Sequence, residues 1–276
     1  MNLAPIFGRI LVAVGGSECS FAALAHALDL AKASHGALSI LIVKNAISPI
    51  GSALASGTSS ARCLSAGWPE TIEEGTDEIE RRAAGMAGAR QVPVVVQREA
   101  GLVSYRILTN SKDASLVVMG RRGHGLQSDT GLGSNIGRVA RRTEKPLLVT
   151  PASYELLKRV RVAYDGRVES PHALETGCEV AEALQVPLEV MTVTTSSCHS
   201  PVIQERVRRE LPSTALKPSL LQADGDPAEV LAGQSRPDVM LVMGLGSQSR
   251  SRGFPLGSVA REVLQRSQGP ILFAFR

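Results

Sequence analysis

Gly120-Arg121-Arg122-Gly123 and Gly133-Ser134-Asn135 are separated by nine residues, and both follow the apolar run Ala114-Ser115-Leu116-Val117-Val118-Met119. The order predicts a strand, a glycine-rich loop and then a helix whose first turn is Gly133-Ser134-Asn135. The chemistry this suits is anion binding. A helix start presents unpaired backbone N–H groups and the positive end of its dipole, and glycines let a phosphate approach the main chain. A surface loop that needs positive φ would produce the same glycines, so the pattern alone leaves both readings open. Arg121 and Arg122 sit inside the loop, within expected reach of a bound phosphate.

Catalysis asks for more than this loop carries. Phosphoryl transfer needs metal ligands, a phosphate-gripping lysine and a group that positions the nucleophile. The loop lacks the Gly-Lys-Ser/Thr ending of a Walker motif, and no Ser-His-Asp or Cys-His constellation stands out. No catalytic residue is assigned. The enzymatic reading reduces to a slow ATPase that uses Arg121 or Arg122 to stabilise phosphate charge.

The elements that must position the loop occur twice. Met119-Gly120 matches Met243-Gly244, Gly133-Ser134 matches Gly257-Ser258 and Pro146 matches Pro270, all 124 positions apart (120 to 244). Nearer the two starts, Val12-Ala13-Val14-Gly15-Gly16 matches Val162-Ala163-Tyr164-Asp165-Gly166 at 150 positions (15 to 165). The chain is a duplication, with the extra residues of the first copy lying between Val43 and Val96. In that copy, apolar runs at Ile10 to Val14, Leu38 to Val43, Val92 to Val96, Leu116 to Met119 and Pro146 to Val149 alternate with helical segments. Nearly continuous Val, Ile and Leu is the pattern of parallel strands covered on both faces. The first helix carries Phe21, Leu24, Leu28 and Ala31 on one stripe, and its duplicate Leu174, Cys178, Ala181 and Leu184. Alternation of strand and helix implies right-handed crossovers and an open, doubly wound α/β sheet, with ligands at the carboxyl ends of the strands.

Gly-x2-Gly-x9-Gly-Ser after a Val-Met strand, with opening strands that end in Val-Gly-Gly-Ser-Glu or Tyr-Asp-Gly-Arg, resembles the universal stress protein family in its tandem, two-domain form. The resemblance covers nearly all of both halves. It implies two tandem doubly wound α/β domains, residues 1–152 and 153–276, each a five-stranded parallel sheet of order 3-2-1-4-5 flanked by helices. It also implies, in the family's ATP-binding branch, a nucleotide whose phosphates rest on the glycine loop. Carried over by position, Gly120, Gly123, Gly133, Ser134 and Asn135 would cradle phosphate, while Ala13, Val43 and Met119 would line the adenine and ribose end. A second site would use Asp165, Val193, Met243, Gly244, Gly257 and Ser258. Fifth strands often meet across a dimer in this family, so Pro146 to Thr150 and Pro270 to Phe275 are expected to face each other within the chain, joined near Ala152 to Tyr154.

The copies depart from the family pattern in different ways. The first has the full glycine loop but carries Gly15 where the family usually has an aspartate that bonds the nucleoside. The second keeps that acid as Asp165, and keeps an Asp224-Gly225-Asp226-Pro227 turn before its third helix, but has Ser247 for the second glycine and Pro255 ahead of Gly257. One nucleoside hydrogen bond is worth about 0.5 to 1.5 kcal/mol. Several charge-assisted phosphate contacts outweigh it. The first half is the expected place of occupancy.

With 276 residues and 43% hydrophobic content the chain is long enough for two cores, and an aromatic content of 3% makes them aliphatic. No apolar run approaches the roughly 20 residues of a membrane span. The first apolar run is needed as a strand and no basic segment precedes it, so a cytoplasmic location is expected. The cysteines at 19, 63, 178 and 198 form no Cys-x-x-Cys pair, and adjacent Cys198-His199 does not make a tetrahedral shell, so no metal is assigned. All four thiols are expected to be free, with Cys178 buried. The net charge is +4, and Arg138, Arg141 and Arg142 lie on the helix after the loop with Lys145 just beyond it, echoed by Arg250, Arg252 and Arg261. Few aromatics for stacking and no helix-turn-helix or zinc pattern argue against nucleic acid. The extra residues of the first copy run from a Ser-, Ala- and Gly-rich stretch at Ser48 to Gly67, through Trp68, into an acidic helix opened by Pro69.

Three functions remain. The leading one is a regulator that binds ATP or another adenine nucleotide and reads occupancy through conformation or assembly, with Mg²⁺ admissible but without assigned protein ligands. A second is an interaction module that has lost nucleotide binding and acts as a scaffold for an unidentified protein partner. The slow ATPase is the third. Pairing of the two domains within the chain is expected, and a homodimer of the tandem is compatible with it.

Overall fold

The computed structural model describes residues 6–45, 70–123, 134–195, 200–211, 216–245 and 256–275. The first half contains β1 (Arg9–Ala13), α1 (Glu18–Ser34), β2 (Ala37–Asn45), α2 (Glu70–Arg90), β3 (Val94–Gly101), α3 (Val103–Asn110), β4 (Leu116–Gly120), α4 (Ser134–Arg142) and β5 (Leu147–Thr150). The second contains β6 (Arg159–Ala163), α5 (Ser170–Leu184), β7 (Leu188–Thr194), α6 (Ser200–Glu210), β8 (Ser219–Asp224), α7 (Pro227–Gly233), β9 (Val239–Gly244), α8 (Ser258–Arg266) and β10 (Ile271–Ala274).

Both halves have the expected strand order, and they share one sheet: β3-β2-β1-β4-β5-β10-β9-β6-β7-β8. The fifth strands do more than face each other. They hydrogen-bond antiparallel, with Val149 opposite Ile271, Leu148 opposite Leu272 and Leu147 opposite Phe273, while the strand pairs within each half are parallel. Strands with apolar residues on both faces require cover on both, and two clusters provide it. Ile10, Val12, Leu24, Leu28, Ile40 and Val118 belong to one, with α1. Leu11, Leu41, Val117, Ile107, Ile136 and Val139 belong to the other, with α3 and α4.

The duplication reaches the backbone. α1 and α5 both end on a left-handed residue, His35 at φ 52° and Gln185 at φ 54°, and the matching glycines Gly101, the last residue of β3, and Gly225, just after β8, have φ 135° and 131°. β3 runs further than the apolar stretch from Val92 predicts. It is an edge strand paired along its whole length with β2, and its polar residues are held from outside: Arg98 pairs with Asp77 at 2.7 Å and with Glu80 of α2. The Ser48 to Gly67 stretch, Cys63, Trp68 and Cys198 lie outside the described residues.

The segment that joins the halves is tied to the first. Tyr154 donates to Asp29 Oδ2, Arg90 Nε donates to Asp29 Oδ1 at 3.1 Å, and the Arg90 guanidinium lies 5.5 Å from the Tyr154 ring centre. Beside them His26 is 1% exposed, edge-on to Tyr154 at 5.0 Å, with neither ring nitrogen hydrogen-bonded among the described residues.

Cys19 and Cys178 are buried free thiols. Burial, reinforced by Glu182, Glu175 and Glu179, pushes the Cys178 thiol up to about 11. The thiolate is the reactive form, so Cys178 is expected to escape labelling in the folded protein at pH 8 and to react on unfolding. Mass spectrometry after pulse labelling checks this; modification of Cys178 before unfolding would contradict it.

Candidate functional site

The carboxyl end of the first half is built around β1, which lies between β2 and β4. Ala13 pairs with Leu41 on one side and Met119 on the other. Because side chains alternate along a strand, Ala13, Val43 and Met119 all face the cluster on the α3 and α4 side. The three residues expected at the adenine and ribose end therefore share one apolar face. Val103 and Leu108 of α3 pack against the same cluster.

The glycine loop leaves this face at Gly120. The Arg121 amide donates to Thr150 O at 2.7 Å, continuing the β4–β5 ladder, and Ser17 Oγ donates to Arg122 O at 2.8 Å. Ser17 is also the N-cap of α1, accepting from the Ser20 amide at 3.2 Å. One side chain thus stitches the helix start to the loop.

The glycines of the loop are not equivalent. A Cβ at Gly120 would stand 2.5 Å from the Cys19 carbonyl carbon and 2.7 Å from the Ser20 nitrogen, so this glycine lets β4 pack on the first turn of α1. Its φ lies outside the left-handed region, which removes positive φ as the reason for it. Gly244 repeats the arrangement, with a Cβ 2.7 Å from Glu169 O. Gly123 is exposed, and a Cβ there would meet nothing within 4 Å. Gly133 lies outside the described residues, Ser134 begins α4, and Asn135 is half-buried beside it in sequence.

The two loop arginines diverge. Arg122 is exposed. Arg121, expected to reach toward a phosphate, is directed at the second half: its Nη1 donates to the carbonyls of Leu264, Gln265 and Ser267 at 3.0, 3.5 and 2.6 Å. The physical reason is the end of α8, whose last carbonyls have no partner within the helix and carry the negative end of its dipole.

In the second half Ala163 and Met243 pair directly, and with Val193 they occupy the matching face. Asp165 is engaged in its own turn. Its Oδ1 accepts from Ser170 Oγ at 2.6 Å and from the Arg167 amide at 3.0 Å, and its Oδ2 pairs with Arg167 Nε at 3.3 Å. Gly257 is the N-cap of α8 at φ −57° with open space around it, and Ser258 is exposed. Asp226 caps α7 through the amides of Ala228 and Glu229. Ser247 and Pro255 lie outside the described residues.

A separate cavity of about 480 Å³ opens on the opposite face of the sheet, against α1 and α2, lined among others by Gly15, Phe21, Ile42, Ile79 and Arg82. Arg82 stacks 3.7 Å from the Phe21 ring centre and binds Glu18 at 3.0 and 3.2 Å. Of the described residues expected to hold a nucleotide, only Val43 borders it. The pairing of Arg82 with Glu18 is 64 positions apart in sequence and carries no periodic signal.

A profile of the universal stress protein family matches residues 7–151. Universal stress protein Slr1230 of Synechocystis is 28% identical over 166 residues, and the match spans 58% of this chain and 58% of that relative's length. The crystal structure of a universal stress protein from Archaeoglobus fulgidus superposes with a TM-score of 0.69 at 21% identity, covering 98% of this chain and 97% of that one. The functionally unknown protein PA1789 of Pseudomonas aeruginosa is similar in fold, with a TM-score of 0.63 at 14% identity, covering 99% and 95%. With the glycine loop on a 3-2-1-4-5 sheet and a family match over more than half of its length, this chain belongs to the universal stress protein family.

Proposed function

We propose that this protein is a stress-response regulator that binds an adenine nucleotide in its first half, residues 1–152, with residues 153–276 as a second, degenerate domain. The observation that carries this reading is the convergence of Ala13, Val43 and Met119 on one apolar face directly before the loop that leads into α4. That face suits a purine and ribose, and Gly123 leaves open backbone for a phosphate. Gly120, Gly123, Gly133, Ser134 and Asn135 hold the phosphates by main-chain and hydroxyl donors, with Arg122 as an exposed cation within the loop. Mg²⁺ would enter on the phosphates, without an assigned protein ligand. No step of catalysis is assigned, and a cytoplasmic place of action belongs to the same reading.

Gly133→Asp and Gly257→Asp test it. Aspartate is a favourable N-cap, and the space around Gly257 accommodates it, so neither stability nor folding is the variable in that half. A carboxylate against phosphate is expected to weaken ATP binding roughly thirtyfold, about 2 kcal/mol, in the first variant and to leave it unchanged in the second. Calorimetric titration with ATP and ADP decides: equal losses, or a loss only from Gly257→Asp, place the nucleotide elsewhere.

The second reading is an interaction module without nucleotide. It is favoured by Gly120, whose identity packing alone explains, and by Arg121, which faces the other half. Purified protein that carries no adenine nucleotide and binds neither ATP nor ADP would establish it.

A further inference from the structure

Arg121 and Leu245 occupy matching positions, 124 apart, after β4 and β9. Their amides make the same bond, Arg121 to Thr150 O and Leu245 to Ala274 O. Their side chains do not correspond. Leu245 is buried in the apolar cluster at 5% exposure, whereas Arg121 sends its guanidinium across the junction to the carbonyls of Leu264 and Gln265 in the last turn of α8 and of its C-cap Ser267. Among the described residues the clamp is one-sided.

Stability alone does not account for an arginine here. Its Nε is buried without a hydrogen-bond partner among the described residues, and burial pulls its pKa below the ordinary arginine range. A partly satisfied buried cation is a poorer solution than an apolar contact. The matching place in the other half is filled by leucine. What the arginine adds is a connection: its backbone is the first residue of the glycine loop, next to the Ser17-bonded Arg122, and its side chain is the cap of a helix in the other domain.

We propose that Arg121 is a positioning residue that couples the glycine loop of the first half to the C-terminal turn of α8 in the second, so that an anion seated on the loop is registered at α8. The ligand in this inference rests on the nucleotide reading above; the coupling rests on the geometry. By linkage, a ligand that strengthens the clamp is itself bound more weakly once the clamp is removed, by the same factor.

The test is hydrogen exchange on the full chain, with and without ATP, for the unmodified protein, Arg121→Leu and Arg121→Lys, together with their ATP affinities. Without ligand, Arg121→Leu speeds exchange both at Leu264 to Ser267 and in residues 120–123. ATP slows exchange at Leu264 to Ser267 by about threefold in the unmodified protein but not in Arg121→Leu, which binds ATP about threefold more weakly. Arg121→Lys, still a donor, recovers part of both effects. A merely structural contact would give no ATP-dependent change at α8, so binding of ATP with unaltered α8 exchange overturns the proposal. If ATP does not bind the unmodified protein, the nucleotide reading fails and the ligand-free comparison decides the coupling. Faster exchange on both sides of the junction then supports it, and faster exchange at α8 alone overturns it.

Discussion

Gly120→Ala is expected to destabilise the protein by roughly 3 kcal/mol or more and to lower its thermal midpoint by roughly 10 °C. The new methyl group meets backbone rather than a yielding side chain: the Cys19 carbonyl carbon at 2.5 Å, the Cys19 oxygen at 2.7 Å and the Ser20 nitrogen at 2.7 Å. The first turn of α1 cannot step aside cheaply. Its Cys19 carbonyl accepts from the buried Thr150 hydroxyl at 3.1 Å, and its cap residue Ser17 holds Arg122 O. Gly123→Ala, in open space, is expected to stay within about 0.5 kcal/mol of the parent and serves as the control. Chemical denaturation of the two variants separates packing from ligand chemistry. Equal stability of Gly120→Ala and the parent would mean that the close approach to α1 is not what requires glycine there.

Acidification from pH 7 is expected to remove on the order of 3 kcal/mol of stability through His26 alone. Burial, with the Arg90 charge in support and Asp29 in opposition, lowers its pKa from 6.5 to about 4. Between those values the unfolded chain binds a proton that the folded one refuses, so the unfolding free energy rises with pH across the window and falls as pH drops from about 6.5 toward about 4. His26→Leu removes the titration and two buried nitrogens without partners among the described residues, so its stability at pH 7 should be close to that of the parent. The measurement is the difference between denaturation free energies of the two proteins at pH 7, 6 and 5. A constant difference would show that His26 is protonated in the fold at its ordinary pKa.

Much of this molecule is legible without coordinates. The Val-, Ile- and Leu-rich runs announce two-sided parallel strands because such strands tolerate few polar residues. The offsets of 124 and 150 announce two copies, and left-handed His35 and Gln185 show that the copies agree even at helix ends that lack glycine. The family resemblance named Ala13, Val43 and Met119 together, but the strand register of β1, β2 and β4, which period 2 within one strand does not supply, is what puts them on one face.

Residue identity in the loop was less informative than its pattern. The sequence determined that glycines follow β4. Only the tertiary structure decided that Gly120 answers to the backbone of α1, from which it is separated by about a hundred positions, because a close approach between distant segments has no local signature. The same holds for Arg121: its type and place within the loop suit an anion, but the uncapped carbonyls of α8 lie within its reach once β5 and β10 join the halves into one sheet. Asp165, Arg121 and His26 share a physical reason. What a polar side chain does depends on which partners the fold brings within hydrogen-bonding distance, and long-range packing, not the spacing of residues along the chain, sets that distance.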